Sequence, residues 1–270
     1  MRFMTWNINS VRLRIHHLLT LMKTESPEII CLQETKTEDM FFPETQIVDT
    51  GYPYIHFHGM KGYNGVAILS KVPFENTYVH HHTGKEDCRH ISVQLKKESH
   101  GVGDGTLNVH CLYIPAGGYE PDPVQNNKFR HKLEFVEEMT EWFPKTHAAN
   151  DTVVALGDFN IAPLENDVWS HKQMLNVVSH TEPEIRRLDE MQKALGWIDT
   201  ARHFIPEKEK CYTWWSYRNR DWKKSNRGRR LDHIWVTQPL KKGLKDHKVL
   251  TDVRDWEKTS DHVPVILDLV

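Results

Sequence analysis

The chain has 270 residues, 39% of them hydrophobic and 27% charged, with a formal net charge of −2. That is enough apolar matter for one large core, and the near balance of charge excludes a globally basic polyanion binder, so any nucleic-acid surface has to be a local patch. Cys31, Cys88, Cys111 and Cys211 stand far apart with no CxxC spacing, which excludes a zinc ribbon or disulfide frame and points to reduced thiols in the cytoplasm.

The N-terminus MRFMTWNINS turns polar within a few residues, so no signal peptide is expected. No apolar stretch approaches the roughly 20 residues of a membrane span. RFMTWNI (2–8) alternates as a strand, and IHHLLTLMKTES (15–26) has helical spacing with Pro27 beyond its end. EIICLQET (28–35) is a buried strand with a polar, exposed end. GVAILSK (65–71) is a strand after a glycine turn. His80, His81 and His82 precede Gly84 in a polar stretch and read as a solvated loop rather than a metal site, because a run lacks the spacing of a designed one. HISVQLKK (90–97) and LNVHCLYIP (107–115) read as a hairpin closed by the tight turn GVGDGT. A long amphipathic helix spans 123–143, with Phe129, Leu133, Val136 and Met139 on one side. TVVALGDFN (152–160) is a buried strand with polar residues at its end, and EIRRLDEMQKALGW (184–197) is a helix closing at Gly196. LDHIWVT (231–237) and VPVILDLV (263–270) are the last strands.

Hairpin-spaced strand pairs argue against a purely parallel doubly wound sheet. The expected fold is an α/β (α+β) four-layer sandwich, two packed mixed β-sheets flanked by helices, in a single domain over 1–270.

Several apolar strands end in groups that chemistry can use. Asn7 and Asn9 close the first, Gln33–Glu34 the second and Asp158–Asn160 another. Asp232 opens the next, and Asp261–His262 stand before the last. Asp261–His262 alone reads equally as a cap or a catalytic pair. Carboxylates this near a core are costly unless paired, and five such ends are better explained by one rim facing a cleft. Carboxylate and amide oxygens suit a hard cation such as Mg²⁺. A cation, a carboxylate and an imidazolium together describe phosphoester hydrolysis. There is no GxxxxGK[ST] loop and no GxSxG elbow, so neither nucleotide-driven phosphoryl transfer nor a serine hydrolase has support.

WNINSVRLR, LQETK, GYNGVAILSK, LYIPAGG, GDFNIAP, YTWWSYR, RLDHIW and SDHVPV follow in that order across the whole chain. The set resembles the exonuclease III family of DNA-repair AP endonucleases, within the endonuclease/exonuclease/phosphatase superfold. The resemblance implies a Mg²⁺ enzyme, with Mn²⁺ as a substitute, acting as a monomer on double-stranded DNA with abasic or 3′-damaged sites. It would cut 5′ to the lesion and act as a 3′→5′ exonuclease and 3′-end cleaner. Glu34 would be the main metal ligand, with Asn7, Asn9 and Asp261 beside it. Asp158 would activate water, and Asn160 would bind phosphate or orient Asp158. Asp232 would hold His262 against the phosphate, and Tyr113 would stand near the leaving group. Asn9, Asn160 and Tyr113 also admit turn or core roles. The alternative on the same superfold is an inositol-phosphate or lipid phosphohydrolase.

Between Cys211 and Arg230, aromatics interleave with Arg218, Arg220, Lys223, Lys224, Arg227, Arg229 and Arg230, against Asp221 as the one acid. A charge run is often a solvated face, but this mixture suits phosphate contacts beside a sugar-sized pocket, and DNA contact is the expectation. The resemblance places Trp214 and Leu231 in the pocket for an extruded abasic sugar. Ala116 and Arg229 depart from relatives that carry a polar and an aromatic residue there, which bears on lesion selectivity.

Overall fold

The computed structural model describes residues 1–103, 105–219 and 221–270. The first sheet holds β1 (Arg2–Asn7), β2 (Ile29–Gln33), β3 (Tyr54–Met60) and β4 (Tyr63–Ser70). The second begins with β5 (Asn76–His82), β6 (Lys85–Leu95), β7 (Leu107–Tyr113), β8 (Thr152–Asp158) and β9 (Ile198–Asp199). A two-stranded ribbon follows, β10 (Trp214–Trp215) with β11 (Gly228–Arg229). The strand β12 (Asp232–Val236) then joins the second sheet, and β13 (Leu244–Val249) and β14 (Val265–Leu269) complete the first. The orders are β13-β14-β1-β2-β4-β3 and β5-β6-β7-β8-β12-β9. Only β1–β2 and β7–β8 are parallel pairs within these two sheets, so both are mixed.

The layers follow from side-chain parity. Phe3, Cys31, Ile68, Val93, Val109, Leu156 and Leu267 meet between the sheets. Their neighbours Met4, Ile30 and Ala67 face the other way, onto α1 (Ile15–Thr24). On the outer face of the second sheet, Val153 and Ala155 pack under α3 (Asn127–Thr146) and α5 (Glu182–Ala194); α4 (His171–Met174) lies between these two in the chain, and α2 (Glu44–Val48) lies between α1 and α3. Two short helices, α6 (Thr200–Phe204) and α7 (Trp222–Ser225), lie in the connections. This is the expected four-layer sandwich.

Three local expectations change. The helix expected from 123 begins at Asn127, where the Asn126 side chain accepts the Lys128 amide as an N-cap. The β6–β7 connection adds a 3₁₀ turn at Lys97–Ser99 before the glycines, and the expected turn at 101–106 includes residue 104, which lies outside the described residues. The His80–His82 stretch is not a solvated loop but the end of β5, with His82 buried. Alternation hid it, because histidine fits either face and the strand lies at a sheet edge.

Register explains the rim. Asp232 pairs opposite Asp158 across β12 and β8, and Tyr113 lies level with Asp158 across β7. Gly157 (φ +152°) lets β8 pass close to β7, since a Cβ there would collide with the Leu112 carbonyl oxygen. In the first sheet Asn7 lies level with Gln33, and β14 runs antiparallel to β1, so the segment before it returns to the same end.

Candidate active site

Asn7, Glu34, Tyr113, Asp158, Asn160, Asp232 and His262 come together at that shared end. Three rim residues take left-handed backbone: Asn9 (φ 49°), Glu34 (φ 52°) and Asn160 (φ 55°). Asparagine tolerates it, whereas for Glu34 it stores about 1–3 kcal/mol of strain, a feature that concentrates at functional sites. The turn aims the Glu34 carboxylate back over the end of the sheet.

Asn7 Nδ2 donates to Glu34 Oε1 at 3.0 Å and to Asp158 Oδ2 at 2.8 Å, tying the two sheets together. Asn160 donates its backbone amide to Asp158 Oδ1 at 2.9 Å and its side-chain amide to Oδ2 at 3.0 Å. The other side-chain contact of Asn160 goes to the Ile114 carbonyl at 2.9 Å, so its amide orients Asp158 and is not free to turn to a ligand. His262 Nδ1 meets Asp232 Oδ2 at 2.8 Å, and its Nε2 faces Asp158 Oδ2 at 3.7 Å. Thr213 fixes the far side of the pair, donating to Asp232 Oδ2 at 2.6 Å.

The electrostatics divide the roles. Burial alone would depress the His262 imidazole, but Asp232, Asp158 and the hydrogen bond to Asp232 override it and raise the pKa, so the ring is cationic at neutral pH. Burial raises the Asp158 carboxyl, with Asp232 and Glu34 adding to the effect and His262 and Asn7 opposing it. Asp158 is therefore a better proton acceptor than a solvated carboxylate. Burial, followed by the Glu34 and Asp158 carboxylates, pushes the Tyr113 phenol up, so it stays protonated and donates to Glu34 Oε1 at 2.8 Å.

Glu34 would also be raised by burial, but Lys36 and the Asn7 hydrogen bond hold it below the usual carboxylate range. The Lys36 ammonium lies 2.6 Å from Glu34 Oε2 and 2.7 Å from Asn9 Oδ1. These two oxygens already converge on one cation, and Asp261 adjoins them through Asn9 Nδ2 at 3.3 Å and Trp214 Nε1 at 2.9 Å. The donor set is all oxygen, which fits a hard divalent ion better than zinc. Asp158, Asp232 and His262 also bring ligand-type atoms within 4.8 Å of one another. There the hydrogen-bonded, protonated His262 has no lone pair to offer a metal.

Beside this centre opens a cleft of about 1110 Å³, lined by Glu34, Asn160, His262, Trp214, Arg218, Arg227, Arg229 and Leu231. The basic run divides. Arg227 lies over the Trp169 ring at 4.6 Å and Arg229 over Trp214 at 4.9 Å. Lys223 instead pairs with Asp255 at 2.5 Å, and neither it nor Lys224 lines the cleft, because α7 turns them away. Arg220 lies outside the described residues. Arg230 is fully buried in a bidentate pair with Asp167 at 2.7 and 2.8 Å, so it belongs to the core.

Sequence reasoning missed several supports. Lys36 could have been found two residues after Glu34, on the same turn. Thr213 stood in the quoted YTWW block without a role. Lys132 carried a signal that went unread: it falls three residues after Phe129 and four before Val136, on the apolar side of the helix, and it is fully buried, paired with Glu184 at 2.5 Å and donating to the Asn160 carbonyl at 2.7 Å.

Comparison with known proteins agrees with this geometry. The model of the endonuclease/exonuclease/phosphatase family matches residues 4–262. The chain is 32% identical over 272 residues to exodeoxyribonuclease III of Haemophilus influenzae, covering 98% of each sequence. Its fold is similar to an AP endonuclease from Archaeoglobus fulgidus, with a TM-score of 0.90, 31% identity, and coverage of 100% of this chain and 99% of that one. It is also similar to the 3′ phosphatase NExo from Neisseria, solved with a product DNA hairpin, with a TM-score of 0.88 at 27% identity and the same coverage.

Proposed function

The chain belongs to the endonuclease/exonuclease/phosphatase family, in its exonuclease III/AP endonuclease branch, and on that premise we propose that it is a metal-dependent DNA-repair nuclease. It cleaves the phosphodiester 5′ to an abasic site, and trims or cleans 3′ ends by the same chemistry. The observation that carries this reading is a buried carboxylate, Asp158, held 3.7 Å from the protonated imidazole of His262 at the foot of an arginine- and tryptophan-lined cleft. Asp158 accepts the proton of the attacking water. His262, oriented by Asp232, donates to a phosphate oxygen as negative charge grows there. Tyr113 lies on the Glu34 side as a donor towards the leaving group. Glu34 would hold Mg²⁺ or Mn²⁺, with Asn7, Asn9 and Asp261 around it, and the bound ion supplies fixed positive charge against the phosphate. Lys36, now 2.6 Å from Glu34 Oε2, would have to yield that oxygen to the ion.

On this reading the protein works as a monomer in the cytoplasm on damaged double-stranded DNA. Among the described residues no helix is long and apolar enough to cross a membrane, and all four cysteines are free and buried. The test is a duplex carrying one abasic analogue, beside a 3′-recessed duplex. Incision 5′ to the analogue with Mg²⁺, abolished by EDTA, is expected. Hydrolysis of an inositol phosphate with no incision would favour the alternative substrate class.

Arg229 gives a second test. Burial pushes its guanidinium down to about 10, so it remains charged at neutral pH. Its direct hydrogen bonds go to neutral oxygens, the Val178 carbonyl at 3.1 Å and Ser179 Oγ at 2.9 Å. Glu184, which opposes the effect of burial, is occupied by Lys132. A DNA phosphate in the cleft completes that unbalanced charge. Arg229→Met is expected to weaken duplex binding several-fold and to reduce the slope of log K against log salt by about 1. Lys223→Met, outside the cleft, is expected to leave the slope unchanged in the same titration.

A further inference from the structure

Outside the cleft, on the opposite face of the second sheet, five histidines gather beneath α3. The spacing absent from the run at 80–82 appears across strands. His80 stands directly opposite His90 between β5 and β6, and His110 opposite Ser92 between β6 and β7. Trp142 covers the group edge-on, its ring centroid 4.8 Å from His80, 5.1 Å from His90 and 5.7 Å from His110.

Counting protons exposes a conflict. His82 Nε2 meets His90 Nδ1 at 2.8 Å, His90 Nε2 meets His110 Nδ1 at 2.9 Å, and His110 Nε2 meets His147 Nε2 at 2.9 Å. The series ends on carboxylates, with Glu138 Oε1 2.9 Å from His82 Nδ1 and Asp151 Oδ2 3.8 Å from His147 Nδ1. Carboxylates only accept, so His82 and His147 direct their N–H groups outward. His90 and His110 then donate to the bare inner nitrogens of those two rings. That leaves His90 Nε2 and His110 Nδ1 as two lone pairs facing each other. Running all the protons toward Glu138 instead leaves a lone pair of His147 facing the Asp151 carboxylate. Either way the array calls for a positive charge. An extra proton would have to sit away from water, since His82, His90, His110 and His147 are all buried.

We propose that this cluster is a transition-metal site, in which His80, His90 and His110 bind one divalent ion of the zinc, cobalt or nickel class. Ligand nitrogens of these three residues lie within 4.8 Å of one another. The all-imidazole donor set suits such an ion and offers Mg²⁺ nothing. Each ligand ring has an outer partner for its other nitrogen: Ser92 Oγ lies 2.8 Å from His80 Nε2, His82 Nε2 2.8 Å from His90 Nδ1, and His147 Nε2 2.9 Å from His110 Nε2, with Glu138 in turn holding His82. A cavity of about 610 Å³, lined by His80, His110, Trp142, His147 and Asp151, opens beside the cluster and provides entry and a water as fourth ligand. On a tetrahedral ion the nitrogens stand about 3.3 Å apart, so the His90–His110 pair opens by a few tenths of an ångström on binding. The ion ties edge strand β5 to the centre of its sheet. It shares no residue with the cleft, since His110 and Tyr113 point to opposite faces of β7.

The full chain, stripped with chelator and dialysed, is titrated with Zn²⁺ and with Co²⁺ in excess Mg²⁺, which fills oxygen sites but not imidazole ones. One tightly held equivalent of zinc is expected, with a visible Co²⁺ d–d band and an anomalous zinc peak between the three rings in crystals. His80→Ala, at the half-exposed ligand, is expected to weaken binding at least tenfold while Mg²⁺-dependent nuclease activity and the folded spectrum are kept. His110→Gln should abolish the Co²⁺ band, and His81→Ala, on the other side of β5, should not alter it. Wild-type protein that retains no ion under these conditions, with the histidines serving only as hydrogen-bonded packing, overturns the proposal. So does zinc retention that is unchanged in His80→Ala.

Discussion

Asp158→Asn is expected to lower abasic-site cleavage by about a thousandfold or more while DNA affinity, measured in EDTA, stays within a few-fold. The substitution is nearly isosteric, and Oδ1 can still accept the Asn160 amide that lies 2.9 Å away. The other position cannot be replaced. Oδ2 takes donors from Asn7 at 2.8 Å and Asn160 at 3.0 Å and faces His262 at 3.7 Å. An NH₂ there meets donors on every side and cannot take a proton from water. Because the residue is 1% exposed, no solvent can fill in for it. The cleft residues proposed to hold DNA are untouched, so binding and turnover should separate. Single-turnover cleavage beside a binding titration checks this, and near-normal turnover would sink the assignment of Asp158 as base.

Much of this site could be read from the chain because its chemistry sits where strands leave the core. A run such as VVALGD predicts a buried strand, and an acid at the end of one needs a reason. Asp158, Asp232, Glu34 and His262 each carried that signal, and strand register then brings them together. The supports were illegible for physical reasons. Lys132 falls on the apolar side of its helix, three residues after Phe129 and four before Val136, but the partners that make its burial tolerable, Glu184 and the Asn160 carbonyl, are fixed by tertiary packing and carry no mark in the helix itself. Arg230 stands in a basic run beside Arg229, yet the two have opposite fates, because Asp167 and Asp199 converge on one and neutral oxygens on the other. Composition cannot separate a buried guanidinium from one that lines the cleft. Likewise, no periodicity in 80–82 announces that His90 and His110 complete a cluster, since the partners are fixed by strand pairing.

Asp167→Asn is expected to cost about 3–5 kcal/mol of stability at neutral pH, the loss that follows removal of one partner from a buried ion pair. Asp167 is fully buried and takes both arms of Arg230, and Arg202 as well. Asparagine can return one of these bonds but not the charge, which leaves Arg230 with Asp199 as its carboxylate partner and the Arg202 guanidinium with the Pro206 and Glu209 carbonyls. Burial by itself would raise the Asp167 carboxyl, yet the two arginines hold it below the ordinary aspartate value. A group whose folded pKa is depressed contributes stability that is present above its unfolded value, about 3.9, and lost as pH falls through the folded one. The gap between wild type and variant in urea unfolding should therefore be full near neutrality and narrow only under acid. A gap that instead widens in acid, or one below about 1 kcal/mol at neutral pH, would mean that the pair is not what holds this segment. The consequence reaches the active site through the chain itself. The Arg230 backbone amide also bonds the Asp167 carbonyl at 2.8 Å, and Leu231 and Asp232 follow directly. Cleavage by the variant should fall even where it remains folded, because the carboxylate that orients His262 hangs from the strand that Asp167 anchors.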